Sequence, residues 1–190
     1  MQTLELGVLN AIQGLRTPLG DALMPAVSAL GHSGWFWIVV GAVMLLFKKT
    51  RQCGCAVLLG LLMATLLGNS LIKPLVQRTR PYDVVPDFAL LVARETSFSF
   101  PSGHTITAFA AATAIAVTIT TGSGLRWLGW SAFALAVLIG FSRLYLYVHF
   151  PTDVLAGAVL GSGCGWCAAR LARLGAQWIE RKGDKRRLSA

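Results

Sequence analysis

Acidic residues are scarce in this sequence: eight Asp and Glu stand against seventeen Lys and Arg in 190 residues, and only three histidines accompany them. No cluster of carboxylates exists to hold magnesium, so charge on a bound anion has to be met by cationic side chains alone. Charge as a whole is thin, at 13% of residues against 55% hydrophobic. With a mean hydropathy of +0.63, the chain falls outside the ordinary soluble class and reads as an integral membrane protein. Internal repeats and low-complexity segments are absent too, which leaves residues 1–190 as one membrane-embedded domain.

Long apolar runs are what the sequence does have. A helix needs about 20 mostly apolar residues to cross the hydrocarbon layer, and five stretches qualify: 28–47, 54–73, 102–121, 127–148 and 152–172. Residues 1–27 mix Leu, Ile and Val with Glu5, Arg16 and Asp21, which suits two short interfacial helices broken near Thr17 and Pro18. A sixth, poorly apolar span there is the alternative. A cleaved signal peptide is not expected, because no basic start precedes an uninterrupted apolar core. The expected fold is all-α: a polytopic membrane helix bundle of five to six transmembrane helices, with interfacial amino-terminal helices, a bundle over 28–172 and a basic tail over 173–190.

Cytoplasmic loops retain Lys and Arg during insertion. Lys48, Lys49 and Arg51 join the first two spans, Arg126 precedes the fourth, and Arg170, Arg173, Arg181, Lys182, Lys185, Arg186 and Arg187 close the chain. That side is expected to be cytoplasmic, with the carboxyl terminus on it. The net charge of +9 then reflects membrane orientation and anionic head groups, and no nucleic-acid partner is expected. Lys73, Arg78, Arg80, Arg94 and Arg143 fall on the outer side against the insertion bias, so they need a reason of their own.

Cys53, Cys55, Cys164 and Cys167 sit in or at the inner ends of spans with no histidine beside them. They are read as reduced, structural thiols, without a metal or a disulfide. Small residues recur every fourth position along two spans, as Asp153, Gly157, Gly161, Gly165 and Ala169, and as His104, Ala108, Ala112 and Ala116. Such stripes allow close backbone approach between membrane helices. If both face inward, the ionisable residue heading each points into the bundle. Exposed small-residue faces could also support a homo-oligomer.

The same topology, which rests on hydropathy and charge alone, gathers Lys73, Arg80, His104, Arg143, His149 and Asp153 at one depth on the outer side. Ionisable groups at span ends that face protein indicate function. Lys73, Arg80 and Arg143 exceed what a carboxylate needs, and two guanidinium forks suit the tetrahedral oxygens of phosphate. Ser99 as a helix cap followed by Pro101, and Pro151 or Thr152 opening the last span, would add helix amino termini that favour an anion. His149 and Asp153 supply a nucleophile with its orienting carboxylate, and His104 is placed as general acid. His32 lacks such companions and is read as interfacial. Asp83, Asp87, Arg94 and Glu95 are expected to be solvated in the outer loop.

"KPLVQRTRP", "PSGH" and "SRLYLYVHFPTD" together resemble the three-part signature of the type 2 phosphatidic acid phosphatase superfamily, which also contains vanadium haloperoxidases. The resemblance runs from residue 73 to 153, and no signature position departs from it. It implies that Ser102 and Gly103 join Lys73, Arg80 and Arg143 in binding phosphate, that His149 forms a phosphohistidine supported by Asp153, and that His104 is the acid, with no cofactor. Ser142 belongs to the pattern, as packing near Arg143. Arg78 does not, and its role is left open.

A site at the outer boundary suits a phosphate carried on a lipid arriving sideways through the bilayer. The apolar centre of the outer loop, Phe88 to Val92, is expected to dip into the interface and gate that entry. Short bacterial members of the superfamily, which this chain resembles, commonly act on undecaprenyl pyrophosphate at the inner (plasma) membrane. Phosphatidylglycerophosphate, phosphatidic acid and diacylglycerol pyrophosphate compete as substrates. A lipid phosphotransferase, a vanadate-dependent haloperoxidase and a non-enzymatic membrane scaffold or transporter are more distant readings.

Overall fold

The computed structural model describes residues 2–85, 88–119 and 125–188. The expectations for Asp87 and for the end of the third span at 120–121 lie outside these residues. Every regular element among the described residues is helical. The elements are α1 (Gln2–Gly14), α2 (Pro18–Gly31), α3 (Trp35–Leu46), α4 (Arg51–Thr65), α5 (Lys73–Val76), α6 (Pro81–Val84), α7 (Gly103–Ile119), α8 (Arg126–Tyr145) and α9 (Pro151–Leu188).

The break near Thr17 and Pro18 is present and has a local cause. Thr17 is extended and its side chain accepts from the Gly20 N–H, while Pro18 starts α2 where no intrahelical N–H is required. The first membrane-long apolar segment, however, begins at Pro18 rather than at residue 28. α2 continues through a short 3-10 turn, His32–Gly34, into α3, and Pro18–Leu46 together is apolar and long enough to cross a membrane. The turn is a kink, with Ser33 at φ 51° and Gly34 at φ 68°, which hydropathy counting does not detect. α1 is a short separate helix, with Glu5 and Leu9 buried.

Three further segments, Arg51–Val84, Arg126–Tyr145 and Pro151–Lys182, are also long and apolar enough to span. α7, described over the 17 residues Gly103–Ile119, is the central helix: it packs on α4, α8 and α9 and most of its residues are buried. The lipid-facing role falls to its neighbours, which expose Leu62, Leu66, Val137, Leu155 and Val159.

Both small-residue stripes face protein, on opposite sides of α7. A methyl group at Gly161 or Gly165 would overlap the carbonyl oxygens of Ile106 and Ala110, so α9 lies directly against the α7 backbone. The other stripe turns toward α2 and α8: the Cβ position of Gly31 would meet His104, and that of Gly129 would meet Ala116. This contact fixes the level at which His104 and Asp153 open their helices. At the far end of the bundle Arg173 donates to the Val117 carbonyl, beyond which α9 carries the basic tail as helix to Leu188.

Candidate active site

Each candidate side chain is placed by a local irregularity. Between α4 and α5 the helix widens to a π-turn over Leu66–Ile72, a distortion frequent at functional sites, and it delivers Lys73 facing inward at 8% exposure. Its Nζ donates to Ser97 Oγ at 3.2 Å and would lie 3.7 Å from a Cβ at Gly103. Arg80 is extended ahead of Pro81, and its guanidinium is 2% exposed. Arg143 lies in the last turn of α8 and is also buried. The chain then turns through Tyr147, at φ 60°, and presents His149 fully enclosed before α9 starts.

His149 has two distinct sides. Its Nε2 lies 3.4 Å from Arg80 Nη1. Its Nδ1 lies 3.5 Å from Asp153 Oδ2 and 3.3 Å from Ser99 Oγ, which itself donates to Asp153 Oδ2 at 2.5 Å. The Phe150 N–H also donates to that carboxylate oxygen, at 2.9 Å. With Nδ1 turned to the carboxylate, the lone pair of a neutral imidazole is at Nε2, on the cationic side. Burial first, then Arg143 and Arg80, holds this imidazole well below its ordinary pKa and therefore neutral. Ser99 does not cap α7, as its position before Pro101 suggested. Ser102 takes that place, accepting from the Thr105 N–H at 3.4 Å, and Ser99 braces the His149–Asp153 pair instead.

Glu95, expected to be solvated, lies at the centre of the site. Its carboxylate bridges the two guanidiniums, 2.6 Å from Arg80 Nη2 and bonded through its other oxygen to Arg143 Nη2. Burial pushes its pKa up, but Arg143 and Arg80 outweigh this and hold it at about 2. The two arginines converge from distant parts of the chain, which gives Glu95 no local signature. Arg94 and Asp83 do stand exposed, paired at 3.5 Å.

A cavity of about 800 Å³ opens on this cluster, lined by Lys73, Glu95, Gly103, His104 and Arg143 together with residues of α2 and the π-turn. Arg80 and His149 are not among its lining residues. His32, read from sequence as interfacial, also lines this cavity, with its ring edge-on to His104 at 6.0 Å. Ser102 does not line it: its Oγ receives the Thr105 hydroxyl at 2.9 Å and its N–H donates to the Asp153 carbonyl at 3.1 Å. Of the Ser102 and Gly103 pair expected at phosphate, only Gly103 faces the cavity. The outer loop is also arranged differently from expectation. Phe88 stacks on Tyr147 at 4.0 Å, and Leu90 and Val92 pack on the same buried cluster, while Leu91 between them is exposed.

Ser142 is buried and donates to the Ile139 carbonyl at 2.7 Å, packing beneath Arg143. Arg78, with no role assigned from sequence, donates to Asp153 Oδ1 at 2.6 Å and to Glu5 Oε2 at 2.5 Å. Only its placement against the insertion bias hinted at a function. All four cysteines are free thiols, Cys53 and Cys164 buried.

The chain is 32% identical over 155 residues to an undecaprenyl-diphosphatase of Sulfolobus acidocaldarius, covering 82% of this chain and 72% of that one. The crystal structure of Aquifex aeolicus LpxE superimposes with a TM-score of 0.74 at 32% identity, over 88% of this chain and 95% of that one. That of a transmembrane PAP2 type phosphatidylglycerolphosphate phosphatase from Bacillus subtilis does so with a TM-score of 0.73 at 33% identity, over 94% and 87%. The PAP2 superfamily model matches residues 54–175, a stretch that holds Lys73, Arg80, His104, Arg143, His149 and Asp153, and the chain therefore belongs to the PAP2 superfamily as a multi-pass membrane lipid phosphatase.

Proposed function

We propose that the protein removes phosphate from a membrane lipid phosphate or pyrophosphate through a phosphohistidine at His149. The observation that carries this reading is the carboxylate of Glu95 held between Arg80 and Arg143, beside the Nε2 face of His149. These cations form a site for tetrahedral oxygens, and the protein's own Glu95 carboxylate is bonded to both guanidiniums. A phosphoryl group entering from the cavity displaces Glu95 and takes over both guanidiniums, with Lys73 and the Gly103 end of α7 on its other side.

His149 Nε2 then attacks phosphorus, and the bond from phosphorus to the lipid oxygen breaks. His104 gives its proton to that oxygen. The positive charge developing on His149 is met by Asp153 through Nδ1–H. In the second half, His104 takes a proton from water, the water oxygen bonds to phosphorus, the P–N bond breaks, and inorganic phosphate leaves with Glu95 returning. Ser102 supports Gly103 as the helix cap.

The substrate is most consistent with undecaprenyl pyrophosphate, on which the Sulfolobus acidocaldarius relative acts by name. Phosphatidylglycerophosphate, the substrate class named for the Bacillus subtilis structure, is the alternative, followed by phosphatidic acid and diacylglycerol pyrophosphate. The positive-inside rule supports an orientation with the site on the outer (periplasmic or extracellular) face of the plasma membrane and the carboxyl terminus in the cytoplasm, because Lys48, Lys49, Arg51, Arg126, Arg170 and Arg173 occupy the opposite end of the bundle. Relative turnover of these four lipids by the purified chain tests the substrate assignment; fastest release from a monophosphate lipid would replace undecaprenyl pyrophosphate with that lipid.

A further inference from the structure

The phosphohistidine reading uses one oxygen of Asp153. The other, Oδ1, receives Arg78 Nη1 at 2.6 Å, and this contact belongs to a chain of charges that the sequence signature does not include. The Arg78 guanidinium lies 4.1 Å over the Phe150 ring and donates to Thr152 Oγ1 at 2.7 Å and to Glu5 Oε2 at 2.5 Å. Glu5 in turn accepts from the Thr152 hydroxyl at 2.5 Å and from the Thr152 N–H at 3.2 Å. Its side chain is 9% exposed. Glu5 stands in α1, ahead of the residues matched by the family model.

We infer that Arg78 and Glu5 form an outer charge pair that positions Asp153 and sets how much of its negative charge reaches His149, making α1 part of the active site's support. The inference rests on the phosphohistidine reading. Arg78 fixes Oδ1 in a charge-assisted bond, which leaves Oδ2 aimed at Nδ1. Alone, that cation would also draw Asp153's charge away from the imidazolium formed in the first step. Glu5, bonded to the other terminal nitrogen of the guanidinium, offsets it, so Asp153 keeps both its orientation and its charge. The other charged groups facing His149 are Lys73 of α5, Arg80 ahead of α6, Glu95 of the connecting segment and Arg143 of α8. None of these contacts Asp153 Oδ1.

A purely structural clamp and a charge-setting pair respond differently to single substitutions. In Glu5→Gln the shape is kept and Arg78 is uncompensated, so the imidazolium is less stable. In Arg78→Gln the cation is gone and Asp153 acts on His149 in full. The two substitutions therefore move the acid limb of the rate profile in opposite directions, and a clamp moves it in neither.

The test uses the full-length chain in detergent micelles, releasing phosphate from dioctanoyl phosphatidic acid across a pH series, with His149→Ala as control. Each variant is expected to lose kcat by about tenfold or more, as loss of an outer partner of an active group does, with KM within about twofold. The acid limb of kcat moves to lower pH in E5Q, to higher pH in R78Q, and back toward the native position in the double variant. R78K keeps the charge but not the fork, so its limb stays in place while kcat falls. Limbs that coincide in E5Q and wild type, or that move the same way in E5Q and R78Q, overturn the inference. If R78Q does not fold, the E5Q and R78K limbs decide alone. An active His149→Ala protein would instead remove the phosphohistidine reading and this inference with it, whereas an inactive one leaves the limbs to judge the pair separately.

Discussion

The Nε2 atom of His149 lies 3.4 Å from Nη1 of Arg80, and the same guanidinium holds Glu95 through Nη2 at 2.6 Å. Nucleophile, cation and carboxylate thus meet at one point, and a phosphoryl group bound to Arg80 would lie in reach of the imidazole. Glu95 is the competitor that it must displace.

Glu95→Gln should therefore bind anions better. Removing the charge leaves Arg80 and Arg143 without an internal counter-ion, and vanadate should inhibit about tenfold more tightly, the lower end of what a charged hydrogen bond contributes. The measurement is the vanadate inhibition constant of both proteins. Equal or weaker inhibition in the variant would show that Glu95 does not compete for the anion site.

Arg143→Ala and Lys73→Ala should each lower kcat/KM by an amount corresponding to about 1.5–3 kcal/mol, the contribution of a charge-assisted hydrogen bond to phosphate. Arg143→Ala carries an added effect, since Glu95 then keeps only Arg80 of its two guanidinium partners. Steady-state kinetics on one lipid phosphate read both. A loss confined to thermal stability would assign the cations to packing alone.

Ser99→Ala removes the hydroxyl that donates to Asp153 Oδ2 at 2.5 Å and touches His149 Nδ1 at 3.3 Å. Asp153 retains Phe150 N–H and Arg78, so the pair should loosen rather than collapse. The expected result is a fall in kcat of about tenfold, with KM little changed, from loss of one charged hydrogen bond. A change in KM alone would place Ser99 at the substrate instead.

The pH dependence has a definite sign. Burial and the neighbouring arginines depress the pKa of His149 well below its ordinary 6.5, so the nucleophile stays neutral at and below neutral pH. Stability follows the same direction. Below 6.5 the unfolded chain binds a proton that folded His149 refuses, so its contribution is complete above 6.5 and is lost as pH falls. Glu95, held at about 2 against an ordinary 4.5, contributes likewise above 4.5 and loses that contribution as pH falls toward 2. Thermal unfolding of wild type and His149→Gln should converge at low pH; a gap that widens there would reverse the assigned shift.

The elements that sequence revealed are those with a repeating or local signal. Hydropathy placed α4, α8 and α9, charge placed the basic ends, and their depth brought Lys73, His104, Arg143, His149 and Asp153 together. Thr17 and Pro18 announced their own break through cap chemistry. The rest depended on single long-range contacts that leave no local pattern. Glu95 looked like any loop carboxylate until Arg80 and Arg143 met around it. Ser99 resembled a cap because it precedes a proline, whereas α7 starts later. Glu5 meets Thr152 across nearly the whole chain, and the kink at Ser33 and Gly34 is written in backbone angles rather than hydropathy.

The mechanism turns on a covalent bond between His149 and phosphorus. It is tested most directly by mixing the full-length protein with a lipid labelled at its terminal phosphate, quenching in alkali and mapping the label by peptide mass. The expected result is one acid-labile phosphoryl group on the peptide containing His149, absent from His149→Ala and no longer formed at a measurable rate in His104→Ala. An active protein that carries no label, or a label on any other residue, would contradict the account.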